Sequence, residues 1–133
     1  MSITIMIENN YSFIDANSPE LIKLESYEAD EQYPDGVTFK IYPFELNIAN
    51  GNFACLWEAL GLYTDDCYCG SIEAKLLISY LKQLNIKLVC REDEQDGNLY
   101  TQGIDLARAS RYYWNLMQIA QEAAKRGEKV TWG

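Results

Sequence analysis

The chain has 133 residues, 48% of them hydrophobic, about one domain's worth of sequence with enough apolar material for a real core. It contains no histidine, which removes the Ser–His and Cys–His nucleophile pairs, the commonest general base and every His-containing metal set. The net charge of −9, with a pI near 4.4, repels nucleic-acid phosphates and favours a basic partner.

The first segment, Ser2–Glu8, is short and rich in β-branched residues, and reads as a strand. Ser18-Pro19-Glu20 is a helix start, with serine as cap, proline at the first helical position and an acid in the first turn. The expected helix is Pro19–Ser26. The polar stretch Tyr27–Gly36 follows and closes on Pro34-Asp35-Gly36, which is turn chemistry. Val37–Ile48 is made of strand formers, but Pro43 has no N–H to give a ladder, so the strand breaks there or lies at a sheet edge.

Asn52–Leu60 is the next expected helix. Phe53, Leu56, Trp57 and Leu60 fall on one face, Asn50 or Asn52 is placed to cap the start, and Gly61 suits the left-handed stop. Ser71 reads as the cap of a helix Ile72–Leu84, with Ala74, Leu77, Leu81 and Leu84 on its apolar face. Ile86–Glu92 reads as a strand paired with Asn98–Gln102 through an Asp96-Gly97 turn. Ile104–Arg126 is the longest expected helix, amphipathic, with Asp105 on the polar face and Gly127 at its end. Lys129–Trp132 returns as a last strand. The elements together predict a single α+β (mixed α/β) domain over residues 1–133. Its small sheet is mainly antiparallel or mixed, packed by three to four helices with the longest near the C-terminus.

The candidate chemistry is thin. Cys55, Cys67, Cys69 and Cys90 make a four-thiolate zinc site the metal alternative. Cys67-Tyr68-Cys69 lacks the two-residue spacing of a zinc knuckle, however, and a free cysteine packs as a small apolar side chain. The run from Glu92 to Gly103 mimics the start of a calcium loop but ends on glycine where the bidentate glutamate belongs. Asn50-Gly51-Asn52 precedes a helix without a phosphate-binding spacing. With Asp65–Cys69 it forms the site of the alternative reading, a small enzyme or ligand-binding domain. The expectation is no cofactor, no resident metal and no catalytic residue.

At "LNIANGNFACLWEALGL", "CGSI" and "KRGEKVTWG" the chain resembles a group of small bacterial proteins. They share an asparagine-rich turn, a helix ending in L-G-L, a G-S/E-I helix start and a C-terminal G-x-x-V-x-W. The resemblance covers about a third of the chain. It implies a bacterial or phage-borne, one-domain, cytoplasmic protein, and transfers no function or site residue. In charge and size the chain is also similar to immunity proteins and phage inhibitors.

Charge distribution supplies the functional expectation. Residues 1–35 hold eight carboxylates against Lys23, a balance of −7, whereas residues 104–133 balance at +2. Tyrosines set among carboxylates combine anchoring area with steering toward a basic surface. The expected function is a non-enzymatic acidic interaction protein that binds and blocks a basic protein partner, such as a toxin or nuclease domain. Its expected contact residues are Glu25, Tyr27, Glu28, Asp30, Glu31, Tyr33 and Asp35 in one segment, and Tyr63, Asp65 and Asp66 in another. No apolar run approaches the roughly 18 residues of a membrane span, and MSITIMIENN lacks a secretory pattern, so a cytoplasmic location is expected, with no membrane or direct nucleic-acid partner.

Overall fold

Strand β1 (Ser2–Ile7) buries its odd positions, Ile3, Ile5 and Ile7, while Ser2, Thr4 and Met6 face the other way. That alternation makes one face of the sheet apolar and the other polar. The computed structural model describes residues 1–17, 21–29 and 34–133. After β1 come α1 (Asn10–Asn17), a hairpin of β2 (Lys23–Tyr27) and β3 (Val37–Ile41), then β4 (Glu45–Ala49) and α2 (Asn50–Leu60). Next are β5 (Gly70–Glu73), α3 (Ala74–Lys82), a 3-10 turn at Ile86–Leu88, and a second hairpin of β6 (Glu94–Asp96) and β7 (Leu99–Thr101). The long helix α4 (Leu106–Arg126) leads into β8 (Lys129–Trp132).

The main sheet has the order β4-β1-β8-β5, and every neighbour is antiparallel. The fold is therefore α+β, with the longest helix near the C-terminus. The last strand is inserted between the first and the fifth, so the C-terminal residues hold the sheet together. One face of the sheet packs on the apolar sides of α2, α3 and α4. Phe53, Leu56 and Trp57 of α2, Leu77 and Leu81 of α3, and Leu116 and Ile119 of α4 are almost fully buried there. Each such side chain contributes about 1.5–3 kcal/mol of burial.

Several expectations change. Lys23–Tyr27 is a strand, not the second half of a helix from Pro19. It pairs residue by residue with Val37–Ile41, and Ser26 Oγ lies 2.8 Å from Thr38 Oγ1 across the pair. The capping signal at 18–20 lies outside the described residues. Helix α1, missed in the sequence, has only Ile14 well buried on its apolar side. The Val37–Ile48 run does break at Pro43, as the missing proline N–H led one to expect, and its two strands belong to different sheets. Pro43 sits in the turn between them, and Phe44 takes a positive φ of 57° after it. Proline followed by a left-handed residue is the signature of a type II turn, and phenylalanine in that place is strained.

The helix expected from Ser71 begins at Ala74, because Gly70–Glu73 pair with β8 instead. Gly70 is tied to its neighbour: a Cβ there would come within 3.0 Å of the Trp132 ring. The expected strand Ile86–Glu92 is a 3-10 turn with Asn85 Oδ1 accepting from Lys87 N at 3.2 Å, followed by a single bridge from Arg91 to Ile104. The Asp96-Gly97 turn stands, but its first strand is Glu94–Asp96. Helix α4 starts after Asp105, which leaves the polar face to cap it, accepting from Arg108 N at 2.7 Å. Gly61 and Gly127 end their helices at φ 79° and 71°.

Candidate functional site

The loop between α2 and β5 is built inside out. Cys67 points inward, and its carbonyl accepts from Trp132 Nε1 at 2.6 Å. Trp132 meets Trp57 edge-on at 5.0 Å, Trp57 stacks on Phe53 at 4.2 Å, and Phe53 reaches Tyr68 at 5.9 Å. A column of aromatic rings therefore carries the rigidity of the core out to the loop. On the solvent side Tyr63 and Tyr68 are both exposed, and interaction with the Tyr68 hydroxyl, ahead of the charge on Asp65, raises the Tyr63 pKa above its ordinary value. Asp65 and Asp66 are exposed, and among the described residues neither pairs with a cation. The loop offers two phenols and two carboxylates that pair with no cation among the described residues, on a backbone anchored at Cys67.

The other acidic segment is attached elsewhere. Glu28 and Asp35 are exposed, Glu25 lies in β2 and Tyr27 ends it, while Asp30, Glu31 and Tyr33 lie outside the described residues. The β2–β3 hairpin joins the main sheet at Glu45, which pairs with Met6 at the C-terminal end of β1. The tyrosine loop joins at Gly70, on the opposite edge, and runs past Gly133, which is bonded to Thr4 in the N-terminal half of β1. The two segments thus leave the sheet from opposite edges and toward opposite ends. The structure keeps Tyr63, Asp65 and Asp66 on one loop with Tyr68, the second tyrosine of that stretch.

No family model, curated protein or solved structure matches this chain.

Its side chains must therefore carry the reading alone. The four cysteines are free thiols, and among the described residues no group of three or more Cys, Asp or Glu is placed to hold a metal ion. In the Glu92–Gly103 run, Asp93 accepts from Gly103 N at 2.7 Å, so one of its carboxylates serves the backbone. The Asn50–Asn52 turn is not a side-chain cap. The cap position is Ala49, and Asn52 Nδ2 donates to the Tyr112 hydroxyl at 3.0 Å. That bond ties α2 to α4, a structural use that the sequence does not announce.

Two clusters go beyond the sequence reading. The Arg126 guanidinium lies 3.7 Å above the Phe13 ring, bonded to Glu122 at 3.2 Å and to Asn10 Oδ1 at 2.9 Å, beside an open cleft of about 590 Å³. This group clamps α1 onto the end of α4. The other is Trp114, which is 62% exposed on α4. Its signal was available: at helical spacing it falls between Arg111 and Gln118, away from the buried stripe of Ala109, Leu116 and Ala120.

Proposed function

We propose that this protein is an acidic, non-enzymatic binding module that blocks a basic protein partner, such as a toxin or nuclease domain. The observation that carries the reading is the pair Asp65 and Asp66, exposed without a cation beside Tyr63 and Tyr68 on a loop pinned through Cys67 to Trp132. A preformed loop loses little entropy on binding, which leaves more of its contact energy as affinity. Carboxylates steer a cationic surface into place, and the phenols supply the anchoring area. Occlusion follows, because lysines and arginines engaged by carboxylates no longer reach nucleic acid. Glu25, Glu28 and Asp35 belong to a hairpin that leaves the sheet from the opposite edge, and would form a separate acidic contact.

The test is co-purification with basic toxin or nuclease domains encoded beside its gene, at low and high salt. Binding is expected to fall as salt rises, and to drop at least about tenfold in Asp65→Asn/Asp66→Asn. Binding that ignores salt, and survives that change together with neutralisation of Glu25, Glu28, Asp30 and Glu31, overturns the acidic-surface reading.

A further inference from the structure

One groove on this acidic protein has a lysine and no carboxylate among its lining residues. It lies between the end of α3, the residues after it and the first half of α4, and measures about 250 Å³. Leu84, Ile86, Tyr113 and Trp114 give it an apolar lining, Lys82 stands on its wall, and no carboxylate lines it. Arg111, exposed one turn before Trp114, adds a second cation. Trp114 meets Tyr113 edge-on at 5.2 Å and leaves most of its surface in water. The fold does not require it there: the buried side of α4 is complete with Ala109, Leu116, Ile119 and Ala120. An exposed tryptophan flanked by cations has the composition of an interface anchor.

From this groove we infer that the chain self-associates, with the Tyr63–Tyr68 loop of a second copy seated on Trp114. The argument is complementarity between two described surfaces of the same chain. The groove is lined by leucine, isoleucine and aromatic side chains with Lys82 on its wall, and Arg111 lies one turn before Trp114 on the exposed side of α4. The loop is phenolic, with Asp65 and Asp66 exposed beside Tyr63 and Tyr68. Each copy owns one loop and one groove, so a two-fold dimer makes the contact twice. The loop's backbone is held through Cys67, which presents it as a ready-made surface. Net charge of −9 on each copy opposes association at long range, but at about 0.15 M salt that repulsion is screened beyond roughly 8 Å, while the contacting pairs are not.

The dimer and the basic partner of the proposed function would use the same loop and so exclude each other; purified protein alone tests the dimer, whatever the outcome for the partner. Sedimentation equilibrium of the full chain at about 0.15 M salt is expected to show a monomer–dimer equilibrium. Trp114→Ala is expected to weaken it at least about tenfold. Asp65→Lys/Asp66→Lys and Lys82→Glu/Arg111→Glu are each expected to be monomeric alone, because each sets like charges against each other. Mixed together, the two charge-reversed variants are expected to form a heterodimer, which misfolded chains cannot do. A wild-type chain that stays monomeric to about 1 mM, or a dimer unmoved by all three changes, overturns the inference.

Discussion

The Tyr11 hydroxyl donates to Glu45 Oε1 at 3.1 Å, while Glu45 Oε2 is buried with no hydrogen-bond partner among the described residues. Tyr42 packs against the Tyr11 ring at 4.6 Å. Burial, followed by the charge on Glu45, pushes the Tyr11 pKa from 10.0 up to about 12. Burial also raises Glu45 above its ordinary 4.5, with the Tyr11 hydrogen bond pulling the other way. Both folded-state values lie above the unfolded ones, so each group holds its proton more tightly in the native chain. The stability this gives is complete below the unfolded pKa and is lost as pH rises through the folded one. For Glu45 the loss begins near 4.5 and runs upward; for Tyr11 it runs from 10.0 to about 12. Glu45→Gln is expected to be more stable than wild type at neutral pH, with a flatter slope on the acid side. Tyr11→Phe is expected to flatten the alkaline slope. Urea denaturation across pH measures both, and an unchanged acid slope in Glu45→Gln assigns that slope to other groups.

Asn10 is the buried polar residue that holds α1 in place. Its Nδ2 donates to the Pro43 carbonyl at 3.0 Å, and its Oδ1 accepts from Arg126. Asn10→Ala strands both partners, and is expected to cost about 2–3 kcal/mol in urea denaturation, since one of them is charged. Phe13→Leu removes the ring under the same guanidinium and is expected to cost about 0.5–1 kcal/mol. The double variant is expected to lose less than the sum, because both side chains act through Arg126. Strict additivity would separate the two contacts.

Trp132→Phe keeps a ring against Trp57 and removes the bond to the Cys67 carbonyl. A loss of about 1 kcal/mol is expected, with a local consequence as well. Cys67 is 6% exposed in the native chain, and its thiol is expected to react faster with a disulfide reagent once the loop is released. The reactivity of Cys90, which packs beside the 3-10 turn, is the internal control. If both thiols accelerate alike, the effect is global unfolding and the pin is not local.

Elements whose packing follows their own period were legible in the sequence. Helix α4 and the Phe53-Leu56-Trp57-Leu60 face of α2 carry a clear apolar stripe, and Gly61 and Gly127 mark their ends. Elements decided by distant partners were not. Lys23–Tyr27 follows a good helix start, yet the pairing with Val37–Ile41 prevails. Gly70–Glu73 carries a cap-like serine, but Trp132 and Val130 complete a strand there. The site divides in the same way. Asp65 and Asp66 were visible as charge, and Tyr63 and Tyr68 as loop aromatics. The aromatic column that fixes them joins residues 53, 57, 68 and 132, and no local window contains it.

Gly103 and Gly51 give opposite expectations for one substitution. A Cβ at Gly103 would lie 2.1 Å from the Arg91 carbonyl oxygen and 2.6 Å from the Glu92 carbonyl carbon. Neither atom belongs to a flexible side chain, so the backbone must part. The paired bonds between Arg91 and Ile104, at 2.9 and 2.8 Å, stand directly in the way. Gly103→Ala is therefore expected to cost at least about 2 kcal/mol and to loosen the β6–β7 hairpin. Gly51 sits in the first turn of α2 with nothing within 4 Å of an added Cβ. There alanine removes unfolded-state freedom at no steric cost, and Gly51→Ala is expected to stabilise by about 0.5–1 kcal/mol. Denaturation midpoints of the two variants should move in opposite directions from wild type. A Gly103→Ala midpoint at or above that of wild type would show that close approach to Arg91 is not what holds Gly103 in place.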